Sequence, residues 1–281
     1  MPKLDRLAII LRVGVYVFLV IIGLMILPRL MLGASNYLVA SALGTFATAA
    51  IANAVVLRIY ERGQLADVGM GWNRASRHNL LIGLAGGIGC GLAVTLIPVA
   101  LRMGDIVQAP QGHFDAPSLV FLTFVLLFGA VGEELLFRGY AFQLLVGYLG
   151  EWATVLPFGF LFAFMHLDNP NQTTVLGPLN TALWGIALGY AFLRSGDLWL
   201  PIGIHFGWNW TLPLFGVNLS GFTMGVTGLT MRWNVADVWS GGQYGSEGGL
   251  FSTLVLGALV YFLRRMPIEK QESPLVRARE A

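Results

Sequence analysis

Charge is what this sequence has least of. Among 281 residues only 11% are Asp, Glu, Lys or Arg, against about 25% in a typical soluble domain. Seventeen basic and 15 acidic side chains cannot clothe a water-facing surface for a chain this long. A net charge of +2 offers no basic stripe for a phosphate backbone, so no nucleic-acid partner is expected. Cysteine is nearly missing as well. The lone Cys90 excludes a disulfide framework, a Cys-x-x-Cys redox pair and a four-cysteine zinc site. Inverted repeats, frequent in transporters, are not seen either. What is abundant is apolar side chain, 56% of the total, and the solvent that suits it is the lipid bilayer.

A membrane-crossing helix needs roughly 20 mostly apolar residues. Charge-poor runs at 13–27, 37–57, 80–101, 118–146, 152–166, 176–193, 198–215 and 250–263 predict an all-α, polytopic membrane protein. They make one integral-membrane domain over 1–281, a bundle of about eight transmembrane helices. The first run leads straight into a second and reads as a span, not as a cleavable signal peptide. The basic residues sort unevenly between the connections. Arg29, Arg102 and Arg232 fall on one side. Lys3, Arg6, Arg12, Arg58, Arg62, Arg74, Arg77, Arg194, Arg264, Arg265, Lys270, Arg277 and Arg279 fall on the other. Positive charge stays inside, so both termini are expected to be cytoplasmic, in a cell membrane. On that layout 58–78 is a cytoplasmic interfacial segment, 216–249 an outer loop rich in Gly and Trp, and 264–281 a charged cytoplasmic tail. Trp233 and Trp239 of the outer loop suit a membrane interface. Gly83, Gly87 and Gly91 recur every four residues on the third span, the spacing of close helix packing.

An ionisable side chain inside a span costs at least about 2.5 kcal/mol and marks function by default. Three places qualify: Glu133-Glu134 with Arg138 in the fourth span, Phe162 with His166 closing the fifth, and His205 with Asn209 in the seventh. Glu134 and Arg138 stand four residues apart and can pair on one helix face. Glu133 is turned by about 100° from Glu134 and is left as the free carboxylate facing the bundle interior. His205 and Asn209 are again four apart and stack on one face. Depth adds a condition. If the fourth helix stopped at Arg138, His166 would lie about 22 Å above Glu133 and the groups could not meet. A long fourth helix continuing through residue 146 brings Glu133 level with His166 and carries Arg138 into the bundle. The spelling excludes other intramembrane chemistries, since neither HExxH nor a GxSxG elbow is present. A carboxylate, two histidines and an asparagine suffice to activate a water and stabilise an oxyanion.

The motifs EExxxR at 133–138, FxxxH at 162–166 and HxxxN at 205–209, in that order on separate spans, resemble the CPBP family. That family comprises type II CAAX prenyl endopeptidases and bacteriocin-processing or immunity (Abi) proteins. The resemblance covers 131–209 closely, with a family-like core at about 117–213. It implies an intramembrane endopeptidase of glutamate type, acting on a membrane-associated or C-terminal protein segment. By position it makes Glu133 the base that activates water, with His166 assisting. It makes His205 and Asn209 the oxyanion hole, and Glu134, Arg138 and Phe162 supporting residues. No cofactor is expected; were Zn²⁺ to take part, Glu133, His166 and His205 would be its ligands. The reading from another class is a non-catalytic binding or immunity protein, or a small-molecule transporter, on the same scaffold.

Overall fold

The computed structural model describes residues 5–33, 35–172 and 174–277. Lys3, Arg279 and the last residues of the expected tail lie outside them. Four helices begin where an Asp or Asn side chain accepts a first-turn amide, the usual helix start. Asp5 opens α1 (Arg6–Leu32), Asn36 opens α2 (Tyr37–Val56), Asn73 opens α3 (Arg74–Ala100) and Asp115 opens α4 (Ala116–Arg138). Then come α5 (Tyr140–Leu149), α6 (Glu151–Phe164), α7 (Leu176–Ser195), α8 (Trp199–Leu214), α9 (Asp237–Ser240), α10 (Leu250–Arg265) and α11 (Pro274–Arg277). Among the described residues five helical runs are long and apolar enough to cross a membrane: Arg6–Leu32, Tyr37–Glu61, Arg74–Ala100, Ala116–Leu149 and Leu176–Ser195. The helices α6, α8 and α10 are shorter, at 14, 16 and 16 residues. Leu7, Ile10, Phe18 and Leu30 stand exposed on α1, an outward apolar face that only lipid would cover. The chain is a mostly helical, multi-pass membrane protein.

Four features add detail to the expected layout. Within the mostly helical chain a short strand pair stands beside the helices. Strand β1 (Gly104–Gln108) pairs antiparallel with β2 (Leu229–Trp233), Gly104 opposite Trp233. The segment 216–249 carries structure of its own, because backbone pairing with the α3–α4 connection and packing of Trp233 and Trp239 on Phe251 order it. Third, α3 starts at Arg74, so Arg74, Arg77 and His78 belong to a helix and not to the interfacial segment. Fourth, the described part of the tail is docked. Ser273 and Leu275 are buried, Leu275 beside α5 at Gly147, and Gln271 N donates to Ser195 O at 2.6 Å.

Two features set the site in place. The first is a glycine-lined crossing of α3 and α8. A Cβ on Gly87 would run into the Ile204 carbonyl, and one on Gly91 would come 2.7 Å from Thr211 Cβ. The small residues of α3 thus admit the backbone of the helix that bears His205. The start of α8 is pinned by Asp197, which accepts from Trp199 N and Leu200 N, both at 3.1 Å, and from Asn79 Nδ2 at 2.8 Å. Burial holds the Asp197 carboxyl above the ordinary range despite these donors.

The second feature is a break. The single long fourth helix expected through residue 146 is interrupted at Gly139, whose ψ of −142° is not helical. A Cβ there would collide with Leu135 O and Asn53 Oδ1. Helix resumes at once in α5, so the chain descends past Arg138 and returns through α6 over a similar number of residues. That return brings His166 level with Glu133.

Candidate active site

The three motifs meet. From α4, Glu133 puts Oε2 at 3.7 Å from His166 Nε2 and at 3.7 Å from His205 Nε2. Both distances exceed a hydrogen bond. Glu133 Oε2 is buried and has no hydrogen-bond partner among the described residues, although the side chain as a whole keeps 27% exposure towards a cavity.

The far nitrogens of the two rings are both tied. His166 Nδ1 lies 2.7 Å from Phe162 O, one turn earlier on α6. A carbonyl can only accept, so Nδ1 carries the hydrogen. His205 Nδ1 lies 2.8 Å from Glu134 Oε1, and there too a carboxylate is the acceptor. Each ring is thus turned with Nε2 towards Glu133, the pattern in which a partner behind an imidazole sets its tautomer and aim. If both Nε2 atoms are unprotonated, three lone-pair groups face one another across 3.7 Å gaps, which a water or a proton must bridge.

Beneath this trio lies a buried ion pair. Arg138 Nη1 approaches Glu134 Oε1 at 3.2 Å, with side-chain exposures of 1% and 0%. Arg138 Nη2 donates to Gly185 O of α7 at 2.6 Å, and its guanidinium lies 5.2 Å from the Phe162 ring centre. Glu134 therefore joins α4 to α8, and Arg138 joins α4 to α7. Phe162 packs on His166 with ring centres 4.5 Å apart and edge-on to Phe137 at 5.0 Å. Asn209, one turn beyond His205, lines the same cavity, and no protein group bonds its amide among the described residues.

The cavity holds about 370 Å³, ample for ordered water and part of a substrate. Its wall is mainly apolar, from Leu24 of α1 to Trp184 of α7, with hydroxyls from Ser41 and Thr45 of α2, Thr181 of α7 and Ser220. Asn169 lines it, whereas Asp168 is exposed in the turn after α6. Of the remaining histidines, His78 sits half-buried 3.0 Å from Pro267 O and His113 lies in the β1–α4 connection, and neither lines the cavity.

Sequence reasoning missed Glu247. This acid of the outer segment is buried and lines the cavity. It accepts from Trp208 Nε1 at 2.9 Å and from Ser220 N and Oγ, both at 2.7 Å, so it ties the outer segment to α8 between His205 and the helix end. The signal was there: a lone acid in the glycine run 245–249 of a charge-poor segment.

No curated protein matches the chain. Residues 115–211 match the family model described as Rce1-like, type II CAAX prenyl endopeptidase. All three motifs fall within that stretch, so the likeness to type II CAAX prenyl endopeptidases, and with it to the CAAX-protease (CPBP) family, covers the segment that carries them.

Proposed function

We propose that this protein is a glutamate-type intramembrane endopeptidase that hydrolyses a peptide bond with water activated by Glu133. The observation that carries the reading is the unbonded, buried Glu133 Oε2 standing 3.7 Å from two imidazole nitrogens whose other nitrogens are held. A water in that gap donates one hydrogen to Glu133 and the other towards His166 Nε2. As its oxygen attacks the substrate carbonyl carbon, the proton passes to Glu133 and later to the leaving amide nitrogen. His205, held by Glu134 as an imidazolium, donates Nε2–H to the developing oxyanion, and the Asn209 amide donates beside it. Glu134 and Arg138 keep His205 in register and balance its charge. Phe162 orients His166 through its carbonyl and its ring.

Two imidazoles and a carboxylate are also the ligand types of catalytic zinc, although among the described residues no such group is arranged to hold an ion. Were one to take part, Glu133, His166 and His205 would be its ligands and it would supply a Lewis acid for the same water. The metal-free reading is favoured by the HxxxN pair, which suits hydrogen-bond donation to an oxyanion. The substrate is a protein segment presented at the membrane. With the shorter α6, α8 and α10 counted as crossings, the bundle has eight membrane-embedded helical bodies, and the arginine bias puts both termini in the cytoplasm of a cell membrane.

The test uses detergent-solubilised protein and a library of internally quenched peptides with apolar C-terminal segments. Wild type cleaves members of the library. Glu133→Gln, which keeps shape and removes the base, loses cleavage by about 10²–10⁴-fold while folding is unchanged. Full activity in that variant sinks the catalytic reading and leaves a binding or immunity role. Activity lost to phenanthroline and restored by Zn²⁺ overturns the metal-free part alone.

A further inference from the structure

The break in α4 is closed by side chains from other helices. In a continuous helix Gly139 N would donate to Leu135 O, and Tyr140 N to Leu136 O. Here Leu135 O accepts from Asn53 Nδ2 of α2 at 3.0 Å, and Leu136 O accepts from the Tyr16 hydroxyl of α1 at 3.0 Å. The freed Tyr140 N donates to Asn53 Oδ1 at 2.8 Å. Two residues past Leu136, Arg138 O accepts from Gln143 Nε2 at 2.7 Å. Asn53 and Gln143 are fully buried, and the Tyr16 hydroxyl is a further acceptor for Asn53 Nδ2 at 3.3 Å.

An unsatisfied backbone group in a bilayer costs several kcal/mol, so an interrupted helix persists only where neighbours take up its loose ends. Those ends belong to the residues right after Glu134 and to Arg138 itself. Loss of the amide would let α4 re-form through Gly139 or slide, rotating Glu134 away from His205 Nδ1.

Resting on the endopeptidase reading, we infer that Asn53, with Tyr16 and Gln143, is a positioning residue of the active site. By replacing the backbone bonds lost at Gly139 it sets the register of Glu134 and Arg138, and through them the aim of His205. An Asn in the midst of the Ala-rich span 47–56, far from the three motifs in sequence, has among the described residues no other polar partner outside this break than Ala49 O one turn earlier.

The experiment compares Asn53→Ala and Tyr16→Phe with wild type by two readouts. One is kcat and KM on the library peptide that wild type cleaves fastest. The other is the Nδ1–H resonance of His205 in ¹⁵N-histidine-labelled protein, which has only four histidines. Positioning predicts a kcat lower by about 10–100-fold with KM unchanged, the cost of a displacement near 1 Å. It also predicts a moved or broadened His205 signal. Tyr16→Phe shows the same pattern, weaker, and decides the matter if Asn53→Ala does not fold. Thr95→Val, which deletes the buried bond from Thr95 Oγ1 to Gly91 O at 2.7 Å on α3, is the control and keeps both readouts.

Lower thermal stability with kcat and the His205 signal both retained overturns the inference. So does a kcat loss with that signal unmoved. If wild type cleaves no peptide, the endopeptidase reading fails by itself, and the His205 resonance alone still decides whether the splice positions the histidine.

Discussion

Removing Glu134 separates what holds the bundle from what performs the chemistry. Its Oε1 is shared by Arg138 at 3.2 Å and His205 at 2.8 Å, and both carboxylate and guanidinium are fully buried. Glu134→Leu strands the Arg138 charge with only Gly185 O as acceptor, and breaking a buried pair from one side costs about 3–5 kcal/mol. Arg138→Met leaves Glu134 with His205 as its one cationic partner and costs a similar amount. In the double variant no ion is stranded. What remains is His205 Nδ1 without an acceptor, about 1–3 kcal/mol. The two single costs are therefore far from additive, and the cycle gives a coupling of at least about 3 kcal/mol. At roughly 2–4 °C per kcal/mol the single variants unfold about 6–20 °C below wild type, and the double variant recovers most of that. Thermal unfolding in detergent, followed by intrinsic tryptophan fluorescence, reads the stability. Peptide cleavage reads the function, and it stays lost in the double variant because His205 is no longer held. Single variants within about 1 kcal/mol of wild type, the range of an exposed pair, would refute the argument, as would a double variant no more stable than the singles.

Three further outcomes are expected. Asn209→Ala lowers kcat by roughly 10²–10³-fold with little change in KM, as loss of one oxyanion donor does; steady-state kinetics on the cleaved peptide check it. Gly87→Ala drives a methyl into the Ile204 carbonyl, and the forced separation of α3 and α8 costs about 1–3 kcal/mol, seen as a lower unfolding temperature. At the N-cap of α4, the Ser118 hydroxyl and amide hold the Asp115 carboxyl below its ordinary range. Its unfolded form binds the proton more readily, so this contribution is complete above about pH 4 and drains away as pH falls through the folded value. Asp115→Asn keeps the cap and removes that acid-dependent slope; equal slopes in the two proteins between about pH 2 and pH 4 would contradict it.

Much of the site was readable before any coordinates because helical spacing is local. Glu134 and Arg138 pair at i,i+4 as expected, and Glu133, turned away from them, is the carboxylate left facing the cavity. His205 and Asn209 share one cavity for the same reason. The His205–Glu134 bond was not readable, since it spans 71 positions and depends on how α8 crosses α4. The break at Gly139 was missed although Gly stood there, because what interrupts the helix is an amide 87 positions from Tyr140. Asn53 carried the same signal as the motif residues, a polar group in an apolar span, but no neighbour in sequence says which backbone it serves. Glu247 was hidden by its setting in a segment read as a loop rich in Gly and Trp.

The sequence by itself determined the solvent, the helical class and the set of side chains able to do chemistry. Scarcity of charge forces a bilayer, and a bilayer leaves few places where Glu, His and Arg are tolerated. Tertiary structure alone decided that Glu133 faces two imidazoles at equal distance, that Glu134 aims one of them, and that α4 breaks one residue after Arg138. Those outcomes rest on contacts between helices far apart in the chain, where glycine at the α3–α8 crossing sets how closely backbones approach and buried amides settle the bonds a broken helix leaves open.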